Sequence, residues 1–163
     1  MVQEISYRMK FSFPTGDDER EHMLPSVDLF LRAFEEADRL MAGSLGLELD
    51  YRRALKEMGE THFDYTIKLI LHWPRQILLG SWPDPGHLRH WMTQARKSLF
   101  DAARGLGDSA QDVVQFWDAQ AHQEGLSEVF VYEEPHVEAL VPILEDLSRA
   151  VGVLGGENSV ILD

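Results

Sequence analysis

The chain has no cysteine, and its last 57 residues, Gly107 to Asp163, hold a single lysine or arginine. The first absence excludes disulfides, thiolate nucleophiles and Cys-ligated zinc or iron–sulfur centres. It is compatible with a reducing compartment. Long apolar runs are also missing: no stretch approaches the roughly 18 residues that a membrane span needs. The opening MVQEISYRMKFSF alternates polar and apolar residues, without the basic start and apolar block of a signal peptide. The expectation is a cytoplasmic, bacterial protein. Signatures of catalysis are absent as well. There is no GxSxG, no HExxH and no phosphate loop. The GLG at Gly105 to Gly107 is too short for such a loop and reads as a helix break.

What is present is ordinary globular material. The 163 residues are 44% hydrophobic and 26% charged, enough for one domain over residues 1–163 with its own core. Charge is unevenly spread. Met1–Asp50 carries 5 basic and 11 acidic residues, Tyr51–Leu106 carries 9 and 5, and Gly107–Asp163 carries 1 and 12. The net −13 disfavours direct binding to nucleic acid, because phosphate backbones are repelled. The acidic last third could face a basic partner or the chain's own basic middle; a merely solvated face is the simpler explanation.

Periodicity supplies the elements. Ile5, Tyr7, Met9, Phe11 and Phe13 alternate with polar residues, predicting a half-buried strand. PTGDDEREH reads as a polar loop. A helix is expected from about Pro25 to Gly43, with Val27, Phe30, Leu31, Phe34 and Met41 on one stripe and Gly43 or Gly46 as its stop. Asp38 falls inside that stripe; its expected partner is Arg39 or an arginine on the sheet. LELDYRRALKEM and HFDYTIKLILHW predict a hairpin around GETH. Ile77 to Gly80 suggests a short strand. Asp84 and Pro85 read as N-cap and first residue of a second helix, Ser109 and Asp112 as the box-like start of a third ended by Gly125, and Pro135 as the start of a fourth interrupted at Pro142. SEVFVYEE and Ser159–Leu162 complete the list of strands. The fold class is α+β: a mainly antiparallel sheet of about four to five strands with helices on one face, in the order β-α-β-β-(β)-α-α-β-α-(β).

Candidate sites are sparse. His87 and His90 lie one helical turn apart and, with Asp84, match a metal-ligand spacing. On helical geometry, however, His90 points away from the apolar stripe and His87 lies at its margin, so surface histidines on a helix start are preferred, with no metal and no cofactor. His62 and Asp64 are neighbours on the polar face of a strand, about 7 Å apart, within reach of acid–base work; His72 is roughly 27 Å further on and cannot join them. Polar alternation on a half-exposed strand explains the group fully and is the preferred reading. The contact surface is expected at Trp82 with Arg75 and Arg89, since Trp and Arg are enriched at interface hot spots. The acidic candidates for a basic partner are Glu133, Glu134, Glu138, Glu145 and Asp146.

The strand–helix–hairpin layout ending in GETHFDYTIKLIL resembles N-terminal modules of proteins from bacterial defence operons. That resemblance spans about the first third of the chain and transfers no residue's role. The sequence thus favours a non-catalytic binding or assembly subunit acting through protein–protein contacts, with self-association compatible. The alternatives are an acidic inhibitor of the immunity or antitoxin type, or a small enzyme or ligand-binding domain with a pocket between sheet and helices.

Overall fold

The computed structural model describes residues 2–13, 17–59, 61–72, 85–105, 109–126, 134–154 and 160–162. Strand β1 (Val2–Ser12) is followed by helix α1 (Asp17–Ser44), the hairpin β2 (Glu48–Met58) and β3 (His62–His72), then α2 (Pro85–Ala103), α3 (Ala110–Gln123), α4 (Glu134–Leu154) and the three-residue β4 (Val160–Leu162). The sheet order is β2-β3-β1-β4 and every pairing is antiparallel. The expected strands at Ile77–Gly80 and within SEVFVYEE lie outside the described residues, except that the last glutamate of the latter, Glu134, opens α4.

The alternation in β1 does what period two requires. Ile5, Tyr7, Met9 and Phe11 are buried beneath the helices, while Glu4, Ser6 and Arg8 stay exposed. The same holds in β3, where Phe63, Ile67, Leu69 and Leu71 point inward. Against this face α1 lays Val27, Phe30, Phe34 and Met41, all buried. Phe30 is the hub. Its ring meets Phe11 edge-on at 5.3 Å, stacks on Phe34 at 5.5 Å and meets Phe100 of α2 edge-on at 5.9 Å. Strand, helix and second helix therefore share one aromatic contact.

Helix α1 is longer than the periodicity suggests. It begins at Asp17, so most of the expected loop is helical and Pro25 sits within the helix. Asp17, Asp18, Glu19 and Glu21 fall at its start, where the positive end of the helix dipole favours carboxylates. Reading Pro25 as the start ignored that preference. At the other end Gly46, with φ of +72°, lets Leu47 N–H reach back to the Ala42 carbonyl and closes the helix, so Gly46 is the stop rather than Gly43. Helix α4 runs through Pro142 without ending there.

Helices α2 and α3 are joined by two tryptophans. Trp91 Nε1–H donates to the Trp117 carbonyl at 2.8 Å, and Trp117 Nε1–H donates to the Ala95 carbonyl and to Ser98 Oγ. Both indoles are buried with their polar atoms satisfied. Helix α3 opens with the expected capping box, Ser109 Oγ accepting from Asp112 N–H and the Asp112 carboxylate accepting from Ser109 N–H. Replacing Ser109 by Ala removes one half of that box. In urea denaturation it is expected to lower stability by about 1 kcal/mol with an unchanged m value.

Candidate functional site

Asp38 is fully buried, and its partners are neither Arg39 nor an arginine of the sheet. One carboxylate oxygen accepts from Tyr7 of β1 at 2.5 Å; the other accepts from Arg96 Nε of α2 at 3.3 Å. Tyr7 also lies under the Arg96 guanidinium, 4.0 Å from the ring centre, and its oxygen is 3.3 Å from that of Tyr51 in β2. Because the Tyr7 proton is committed to Asp38, Tyr51 is the donor of that last bond. The expected correction to Asp38 is thus one of distance along the chain: Arg96 lies 58 residues away and no local pattern could nominate it. Arg39 instead pairs with Glu35 and reaches the Leu49 carbonyl.

Burial raises the pKa of each acid here. Desolvation pushes Asp38 above the usual carboxylate range, against the pull of Arg96 and Tyr7. Desolvation first, then the Asp38 charge, pushes the Tyr7 and Tyr51 phenols up. Both tyrosines are donors held in place. Asp38 meets no solvent and acts as an acceptor that fixes β1, β2, α1 and α2 together.

The other candidates are dispersed. Asp64 is taken by Arg8, through Nε at 3.0 Å and Nη2 at 2.7 Å, and His62 pairs with Glu57 at 3.4 Å. They face different partners and do not form an acid–base pair. His87 is exposed, His90 pairs with Glu124 of the α3 C-terminus at 3.3 Å, and Asp84 lies outside the described residues. Among the described residues no three His, Asp or Glu side chains are grouped to hold a metal ion. Trp82, Arg75 and Glu133 also lie outside them. Arg89 is exposed on α2 and donates to the Glu4 carbonyl at 3.2 Å. Glu134, Glu138 and Glu145 are exposed on α4, with Asp146 half-buried beside Arg149. Of the expected contact residues that are described, Arg89 sits on α2 and the four carboxylates on α4.

A surface the sequence did not single out is strand β2. It is eleven residues long and lies at the sheet edge; among the described residues it pairs with β3 alone. From Arg52 to Met58 every residue is exposed, and Leu55 and Met58 keep 44% and 52% of their surface open. The register sets which backbone groups are free. Gly59 N–H bonds the His62 carbonyl across the turn, and the bulge between Leu55 and Glu57 shifts parity by one. Before the bulge the even residues face β3, so Leu49, Tyr51, Arg53 and Leu55 direct their amides and carbonyls outward. Arg39 reaching the Leu49 carbonyl fits that assignment. Arg52, Arg53 and Lys56 with Thr66 and Lys68 line a hollow of about 230 Å³ on this strand pair, where Arg52 pairs with Asp50, Arg53 with Asp28 and Lys68 with Glu4.

No family model, curated protein or solved structure matches the chain. Among the described residues no helix is long and apolar enough to cross a membrane.

Two measurements test the buried network. Asp38→Ala leaves a buried cation and phenol without their acceptor and is expected to cost about 3–5 kcal/mol, whereas the joint change Asp38→Leu with Arg96→Met costs less than the sum of the single changes. A phenol whose folded pKa is raised holds its proton more tightly in the folded chain. Its contribution is therefore complete below the ordinary value of 10.0 and is lost as pH rises beyond it. Tyrosinate absorbance followed with circular dichroism should show Tyr7 and Tyr51 ionising only together with alkaline unfolding.

Proposed function

We propose that this chain is a non-catalytic binding subunit that receives an extended segment of a partner protein along β2. The observation that carries the reading is the edge position of β2, which among the described residues pairs with β3 alone. The unpaired amides and carbonyls of an edge strand template further pairing. The bulge at Leu55/Glu57 and the cations of β2 restrict which segment can pair, while the outward groups of Tyr51, Arg53 and Leu55 lie before the bulge. Here the opposite edge is partly covered by β4 at Met9 to Phe11, while β2 keeps a run of exposed residues with two large apolar side chains. Main-chain pairing would supply affinity, and Leu55 and Met58 would supply apolar contacts beyond the reach of the helices.

Charge selects the partner. Arg52, Arg53 and Lys68 are already paired with Asp50, Asp28 and Glu4, so the fitting segment brings apolar side chains for Leu55 and Met58 and a carboxylate for Lys56 between them. The expected carboxylates of α4 are then solubilising, and the C-terminal strand β4 completes the chain's own sheet rather than a partner's.

The test uses Leu55→Pro. Proline there removes an outward amide and no ladder bond to β3, so the fold is expected to survive. A tagged chain recovered from its native host should carry a stoichiometric partner that Leu55→Pro loses. In the purified complex, hydrogen exchange should slow at the amides of Tyr51, Arg53 and Leu55. A partner retained by Leu55→Pro, or protection confined to other elements, would overturn the reading.

A further inference from the structure

We propose that the cavity between β1 and helix α2 binds a compact oxyanion, the phosphoryl or carboxylate group of a small molecule. The cavity measures about 180 Å³ and is lined by Ile5, Ser6 and Tyr7 from the strand and by Arg89, Thr93, Arg96 and Lys97 from the helix. Three of these seven are cations, in a chain with a net charge of −13. Their spacing explains the convergence: positions 89, 93, 96 and 97 fall at i, i+4, i+7 and i+8, which is one face of an α-helix. The only carboxylate paired with any of the three cations among the described residues is Asp38, on Arg96.

Arg96 makes this a built site. It is 97% buried, since only 3% of it is exposed, and its orientation is set by Asp38 at Nε and by the Tyr7 ring beneath it. Its Nη2 is buried and has no hydrogen-bond partner. A buried guanidinium nitrogen without an acceptor is costly, and a bound oxyanion supplies one. Guanidinium groups suit planar and tetrahedral oxyanions because two donors can engage two oxygens at once. Arg89 spends one bond on the Glu4 carbonyl, and Lys97 is exposed at the rim.

Strand parity adds a donor. Phe13 N–H bonds the Thr61 carbonyl, so odd residues of β1 face β3 and even residues face away. Ser6 therefore shares with Glu4 the side that looks toward α2, and β4 covers this edge only at Met9 to Phe11. Thr93 contributes no proton, because its hydroxyl donates to the Arg89 carbonyl. The volume limits what enters. It is below the roughly 300–1,000 Å³ of pockets that enclose drug-sized ligands, so the site takes an anionic group and leaves the rest of a larger molecule outside. This site is independent of partner docking at β2.

Thermal shift and calorimetric titration with inorganic phosphate and with succinate, against chloride at matched ionic strength, test the assignment. At least one of the two anions should bind saturably. Saturation by phosphate alone assigns a phosphoryl group; saturation by succinate assigns a carboxylate. The paired change Arg89→Ala with Lys97→Ala touches exposed side chains and should keep the fold while weakening binding by at least about tenfold, as expected for lost charge-assisted bonds. Lys56→Ala, which removes a cation from β2, should leave affinity unchanged. No saturable response to either anion overturns the proposal. So does an equal response in the paired variant and wild type, which would mean an ionic-strength effect only.

Discussion

The fold depends on one buried carboxylate. Asp38 lies on the inner stripe of α1, where a side chain without hydrogen-bond partners would be intolerable. Its two oxygens are taken by a phenol from the first strand and a guanidinium from the second helix, and a second phenol from β2 backs the first. Four elements distant in sequence are thereby held to one point. The aromatic hub at Phe30 fixes β1, α1 and α2 by packing, but packing alone allows neighbouring arrangements. The polar network adds direction, since a shifted α2 would strand both Arg96 and Asp38.

That network also explains why the cationic face of α2 is oriented as it is. Arg96 must point inward to meet Asp38. Thr93, one helical turn before it, and Lys97, the next residue, then line the same cavity beside β1, and Arg89 two turns before reaches the Glu4 backbone. Most described cations of the sequence's middle divide between this face and the β2–β3 pair, where Arg52, Arg53 and Lys68 are held by Asp50, Asp28 and Glu4. The acidic residues of α4 stay on the exposed side of their own helix.

Much of the architecture was legible because it rests on period. Alternation in β1 and β3, the stripe of α1, the hairpin and the Ser109–Asp112 box all follow from local chemistry. Where local signals compete, the reading slipped: Pro25 outweighed the acidic run before it, and the helix start moved by eight residues. The functional features were less visible for a different reason. Asp38 was noticed because a charge broke an apolar stripe, but its partner lies 58 residues away. The free edge of β2 depends on which strand is not beside it, and strand order is a property of the whole chain. Histidine spacing, conspicuous in the sequence, led to dispersed side chains.

The pairing of β4 with β1 has a consequence for how the chain assembles. Met9 to Phe11 find their outer neighbours at Val160 to Leu162, so one ladder joins segments about 150 residues apart. Ladders closed over such separations form late, after local helices and the β2–β3 hairpin have ordered. On a ribosome, most of the chain must emerge before that side of β1 can be paired. Until then the first strand presents an aromatic-rich, unpaired border, and protection during synthesis falls to α2, whose Arg89 reaches the same side of the strand from half the distance along the chain.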